Sequence, residues 1–374
     1  MRTAGGIRIP DTEEHSLDDV MPGLAVTPRR LVLLVVFVVV AVGFLYLGLP
    51  RIAGLEQTWA RMDDGNPWWL AAAFAFSVVA FGGYVVLFRG VFGGEGTRIG
   101  FGASYQIAMA GFAASRVFAA GGAGGLVLTA WALRRAGMRR RRVADLTVAF
   151  LALTYVVFMA ALIVVGLGLY LGVLGGPAPF AITVLPACLG AFVILVALGL
   201  SWVPPDLARR FERREERAGR LARLGGRLAN LPASSSAGVR EAIRHVRTGD
   251  PSLLGSLLFW GGNVAILWAS FRAFGQAPSA AVIVMGFFVG MLGNLLPLPA
   301  GVGGVDGATI GAFVALGVSV DLAIVAVLTY RIFAFWLPIL PGAMAWLQLR
   351  RTVARWRAER RAEAPAPGPI LSQA

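Results

Sequence analysis

The sequence has 374 residues, 57% of them hydrophobic and 14% charged, with a formal net charge of +14. Soluble globular chains carry about 25% charged residues, so this composition excludes an ordinary cytosolic enzyme. Every basic cluster lies beside an apolar stretch. That placement excludes nucleic acid as the partner of the charge and assigns the arginines to membrane topology and anionic headgroups.

Taken in chain order, residues 1–28 mix acidic positions (Asp11, Glu13, Glu14, Asp18, Asp19) with a few arginines and have no small-residue cleavage site. They are expected to form a disordered cytoplasmic tail and not a signal peptide. Arg29 and Arg30 lead into an apolar span from Leu31 to Leu49, and a mildly acidic loop follows. Trp68 and Trp69 open a second span that runs to about Phe92, at the interfacial position aromatic residues favour. Between Ile99 and Leu133 the only charge is Arg116, and the glycines of 121–125 interrupt the middle. From Leu146 to Pro205 there is no charge, and the break at 175–179 predicts two helices. The segment 206–250 alternates leucines with many arginines at near-helical spacing, which predicts an amphipathic helix on the membrane surface. Apolar spans resume at Leu253–Phe274 and Ala280–Leu298, then a glycine-rich stretch at 297–318 and a last span from Leu322 to Leu347. Residues 351–374 are basic, then proline-rich, and are expected to be a disordered cytoplasmic tail.

The expected fold is an all-α polytopic membrane protein of about eight to ten segments, each near the 20 residues a bilayer core requires. Arginine clusters at 29–30, 134–142, 209–227 and 350–361 all fall on one side of that count. They place both termini in the cytoplasm and the chain in the cell membrane.

Two stretches of the chain can be laid over each other. Phe81-Gly82-Gly83-Tyr84-Val85 matches Trp260-Gly261-Gly262-Asn263-Val264 at an offset of 179, and residues 120–137 match 300–317 at an offset of 180. Leu153-Thr154-Tyr155 then falls on Leu328-Thr329-Tyr330. These blocks predict a duplication, with repeat A at about 68–172, the linker at 206–250 and repeat B at about 253–347. Because 68–92 enters from outside and 253–274 from the cytoplasm, the repeats are expected to be inverted. That architecture recurs in transporters, with glycine-rich re-entrant or broken helices meeting at mid-membrane.

Arg116, Asp306 and Arg331 are the ionisable residues deep within apolar segments, where each needs a partner or a wet cavity. Two readings stay open. Asp306 and Arg331 form a structural ion pair, or Arg116 and Arg331 receive a lipid phosphate, which guanidinium binds bidentately. Tyr155 and Tyr330 stand in the matched blocks as candidates for the same ion-pair or gating role. Gly121, Gly124, Asn294, Pro297, Pro299, Gly301, Gly303 and Gly304 are expected to unwind backbone around the site. His15 and His245 lack metal-ligand spacing, and Cys188 stands alone, so no metal, cofactor, catalytic set or disulfide is expected. The glycine runs lack the context and lysine of a phosphate loop.

The run GNLLPLPAGVGGVDGATIGAFVALGV (293–318), followed by LTYRIFAFWLPILPGAMAWLQLRR (328–351), resembles the C-terminal signature of the lysyl-phosphatidylglycerol synthase transmembrane, or flippase-like domain, family. The resemblance covers roughly 30–350. Asp306 stands where glutamate is usual and Ala300 where glycine is usual. It implies a flippase-like transmembrane domain over 29–350 without the soluble aminoacyl-transferase domain, hence a lipid transporter and not an enzyme. Membrane lipids, an anionic phospholipid among them, are the expected partners, with a lipid-modifying enzyme as a further one. The alternatives are a non-catalytic scaffold of envelope-lipid synthesis and a lipid-dependent transferase, for which Asp306 is the only intramembrane base.

Overall fold

The computed structural model describes residues 65–93, 99–117, 123–202, 236–295 and 303–363, and these form helices joined by turns. The tail at 1–28, the span at 31–49, most of the linker (206–235) and residues 364–374 lie beyond the described residues, as do Gly121, Pro297, Pro299 and Gly301, whereas 351–363, expected to be disordered, are helical.

In chain order the helices are α1 (Pro67–Phe92), α2 (Phe101–Val117), α3 (Ala123–Arg135), α4 (Arg140–Tyr170), α5 (Phe180–Ser201), α6 (236–248) and α7 (Pro251–Phe274). They continue with α8 (Ala280–Met291), α9 (Gly304–Ala315), α10 (Val320–Arg331) and α11 (Ile339–Glu363). Among the described residues, α1, α4, α5, α7 and the run Val320–Glu359 are long and apolar enough to cross a membrane. The chain is therefore an all-α, multi-pass membrane protein. The charge-free run of 146–205 does divide at the Gly-Pro segment into α4 and α5.

Helices α1 and α7 form an antiparallel pair at the centre. Each begins the same way, with proline in the first turn and a polar cap. Asn66 accepts from the Trp68 N–H at 3.0 Å, and Asp250 accepts from the Ser252 N–H at 2.8 Å. The Asn66 N–H bonds Ala273 O at one end of the pair, and Gly90 lies against Ser252 at the other. Small residues let the two backbones touch. A Cβ on Gly83 would fall 2.8 Å from Gly255 O, and one on Gly262 would fall 2.7 Å from the Ala80 Cβ. Lipid offers no hydrophobic drive for helix association, so such close approach is the main source of attraction.

Around this pair the short helices form two antiparallel hairpins, α2–α3 and α8–α9, each closed by a glycine facing a threonine. Gly111 lies under the Thr129 hydroxyl, and Gly290 lies against Thr309. With 17 and 13 residues, α2 and α3 span only about 26 and 20 Å, less than the ~30 Å hydrocarbon core. Helices α8 and α9, of 12 residues each, are shorter still.

The span expected at 322–347 is not one regular helix. α10 ends at Arg331, a π turn occupies Ile332–Trp336, and α11 resumes at Ile339. The widened turn leaves the Phe333 carbonyl to accept from Ser77 Oγ on α1 at 2.8 Å, so the bulge is held from outside its own helix. Pro338, next to the bulge, cannot supply a backbone donor there.

The polar contacts gather basic residues at one end of the bundle. Arg89 stacks on Phe101, Arg142 approaches Glu241 at 3.8 Å, and Thr352 donates to Gln106 at 2.8 Å. There Asp250 also meets His245 Nδ1 at 3.2 Å. Burial alone would raise the Asp250 carboxyl, but the Ser252 N–H and hydroxyl, with His245, outweigh it and hold the group below the usual carboxylate range. A depressed folded-state pKa contributes stability that is present above the unfolded value and lost as pH falls through the folded one. Asp250→Asn is therefore expected to flatten the acid limb of thermal stability as the pH falls below the ordinary carboxylate pKa of about 4. Asparagine caps about as well as aspartate, so the loss at pH 7 stays within about 1 kcal/mol. Calorimetry of the two proteins over that range checks it, and identical acid limbs would contradict it.

Candidate functional site

The intramembrane charges converge where α2, α9, α10 and the π turn meet. Asp306 is at the third position of α9 and is 9% exposed; Arg331 is the last residue of α10 and is 8% exposed. Arg331 Nε donates to Asp306 Oδ1. The other carboxylate oxygen accepts from the Gly303 N–H at 3.0 Å, so one side chain caps α9 and neutralises a buried guanidinium. Gly303 holds φ at +83°, a left-handed conformation that costs other residues and suits the sharp entry to the helix. Gly304, buried, follows it, with its carbonyl against Gly293.

Arg116 closes α2. Its guanidinium carbon lies 4.5 Å from the centre of the Phe112 ring and 4.4 Å from that of Phe335, in the π turn. Arg331 stacks on the same Phe335 at 4.8 Å. Phe335 thus joins the two arginines, and the π turn is what aims it between them. Arg331 has a carboxylate partner, whereas Arg116 has none among the described residues.

Tyr330 is buried, and its hydroxyl donates to Asn263 Oδ1 on α7 at 3.1 Å; Asn263 in turn donates to Phe259 O at 2.8 Å. Tyr155, in the matched block, is 47% exposed on α4, and its ring lies 6.1 Å from Phe158 and 6.2 Å from Trp260. Asn294 is exposed in a short 3-10 turn after α8, donating to Met291 O at 3.1 Å, and Gly124 sits in the first turn of α3. Gly121, Pro297, Pro299 and Gly301 cannot be placed, because they lie outside the described residues.

Sequence reasoning passed over Phe335, Asn263, Phe112 and Tyr84. Asn263 and Tyr84 were both in the matched glycine blocks, so a polar residue in a span was the available signal. Nothing in the sequence marks Phe335 apart from the other phenylalanines, since its role comes from the π turn. Among the described residues there is no cluster of His, Cys, Asp and Glu able to hold a metal.

The family model for the lysylphosphatidylglycerol synthase TM region matches residues 31–342, which includes every residue of this cluster. The chain belongs to that family. Two UPF0104 membrane proteins of Methanothermobacter thermautotrophicus are similar to it, one 34% identical over 91 residues and the other 33% identical over 124. Those matches cover 24% and 31% of this chain, and only 26% and 37% of the relatives' own lengths. Arg331, paired with Asp306, and Arg116, which has no carboxylate partner among the described residues, both lie within this lysylphosphatidylglycerol synthase TM region.

Proposed function

We propose that this chain moves lipid between membrane leaflets, its cargo an anionic or modified phospholipid or a related lipid-linked compound. Arg116 carries the reading. It is a guanidinium inside an apolar bundle, stacked on two rings, with no anionic partner among the described residues. A charge at that depth costs at least about 2.5–3.5 kcal/mol, so an unpaired arginine there is a site awaiting an anion. Phosphate is the anion that guanidinium fits best and that lipids carry.

In this reading Arg116 and Arg331 hold the headgroup, Asp306 exchanges with it for Arg331, and the hairpins α2–α3 and α8–α9 supply the backbone that opens. The antiparallel α1–α7 pair and the shared glycine–threonine closure of the hairpins support an inverted duplication. The arginine-rich end faces the cytoplasm by the positive-inside rule, in the cell membrane. The chain makes and breaks no covalent bond, so transport runs on gradients or mass action, and an enzyme that modifies the lipid is its natural partner.

In vesicles of defined composition, the purified chain is expected to speed leaflet exchange of fluorescent phosphatidylglycerol above protein-free controls. Arg116→Ala lowers that rate by about tenfold or more, the loss of one charge-assisted contact of about 1.5–3 kcal/mol. Rates equal to protein-free vesicles across a panel of anionic and modified lipids would sink the reading. A scaffold of envelope-lipid synthesis is the second reading, favoured by the closure of Arg331 on Asp306. Stable co-purification with a synthase, without lipid movement, would select it.

A further inference from the structure

Arg116 shares its surroundings with two phenols that the cluster above leaves unused. Tyr84 on α1 lies 5.7 Å, ring to ring, from Phe112, on which Arg116 stacks, and 5.2 Å from Phe259. Phe259 lies 5.0 Å from Trp260, and Trp260 lies 6.2 Å from Tyr155. The aromatic rings therefore run as one wall from Arg116 to Tyr155. Both phenols are within electrostatic reach of Arg116. Neither hydroxyl bonds to a described residue.

Tyr155 occupies the middle of the 31-residue α4 and is 47% exposed, beside an α7 whose Leu254 and Leu257 also face outward. At that height the outer surface meets hydrocarbon, where an unbonded hydroxyl finds no water. An exposed phenol there is costly unless a polar group comes to it.

The sequence match makes the contrast sharper. It pairs Tyr84 with Asn263 and Tyr155 with Tyr330. On the second side, Tyr330 donates to Asn263 and Arg331 is closed by Asp306. On the first side neither the matched Tyr84 and Tyr155 hydroxyls nor Arg116 has a polar partner among the described residues. The same scaffold thus carries one sealed polar set and one open one.

We propose that Tyr84, Tyr155 and Arg116 form a phosphodiester subsite, entered sideways from the hydrocarbon past Tyr155. One guanidinium and two phenols supply donors on different sides of a monoanionic phosphodiester, and the ring wall of Phe112, Phe259 and Trp260 keeps water away while acyl chains stay in the lipid. The subsite rests on the lipid-carrier reading for its purpose, but its binding is measurable without transport.

The full chain in nanodiscs, assayed by native mass spectrometry, tests it with phosphatidylglycerol, phosphatidylcholine and diacylglycerol as probes. Both phospholipids are expected to be retained and diacylglycerol not. Tyr84→Phe and Tyr155→Phe, which remove only an oxygen, each weaken phospholipid retention about tenfold, whereas Tyr170→Phe near the far end of α4 leaves it unchanged. Wild-type retention in both hydroxyl variants would overturn the subsite. Displacement of lipid by millimolar glycerol phosphate from water, with no effect of Tyr155→Trp on lipid entry, would overturn the sideways route. Tyrosine-dependent retention without leaflet exchange would retire the carrier reading and leave the subsite standing. Normal retention by the variants of a chain that does move lipid would do the reverse.

Discussion

Asp306→Ala is expected to lower the unfolding free energy by about 3–5 kcal/mol, the cost of removing the carboxylate from a buried ion pair. Arg331 is 8% exposed and gives Nε to that carboxylate, so no water takes over when the carboxylate is removed. The Gly303 N–H loses its acceptor in the same substitution, which frays the entry to α9. The double variant Asp306→Leu with Arg331→Met is expected to recover most of the loss, because a well-packed apolar pair replaces both desolvated charges. Unfolding in a detergent titration reads both effects. If Asp306→Ala unfolds with wild-type stability, the Asp306–Arg331 pair does not hold α9 to α10. If the double variant is as unstable as the single one, the loss belongs to the α9 cap.

Gly255→Val is expected to cost at least about 3 kcal/mol, at the upper end of what overpacking does. A Cβ at residue 255 would fall on the Leu87 N and on Gly83 O at 2.7 Å, and both are backbone atoms that cannot rotate aside. α1 and α7 would have to separate, and with them the Phe259–Tyr84 and Asn263–Tyr330 contacts that line the site. Gly261→Ala is the matched control, since a Cβ there meets nothing within 4 Å and alanine favours helix by up to about 1 kcal/mol. Equal stability of Gly255→Val and Gly261→Ala would show that the helices do not touch at Gly255.

The site was partly legible before any coordinates. Arg116, Asp306 and Arg331 announce themselves because ionised groups are rare and expensive in apolar spans. Their spacing along the chain says nothing of which acid meets which base. Asp306 and Arg331 are 25 residues apart and meet because α9 and α10 fold back on each other, whereas Arg116 arrives on a helix from the other side. The turn at Ile332–Trp336 had no sequence mark beyond the nearby Pro338, so a plain helix over 322–347 was the natural expectation. The carbonyl at Phe333 in the bulge accepts from Ser77 of a distant helix, a partner that the local sequence cannot show.

By itself, then, the sequence determined the environment: apolar runs long enough for a bilayer, arginines at their ends, and glycine blocks in two matched stretches. Those are local properties of composition and period, and they need no partner to be read. Only the tertiary structure decided that Arg331 is neutralised by Asp306 while Arg116 stacks on Phe112 and Phe335 without a carboxylate partner among the described residues, and that the matched tyrosines differ in exposure, Tyr330 sealed and Tyr155 bare. Pairing and exposure depend on which helices touch, and helix contacts are set by small-residue packing between segments far apart in the chain.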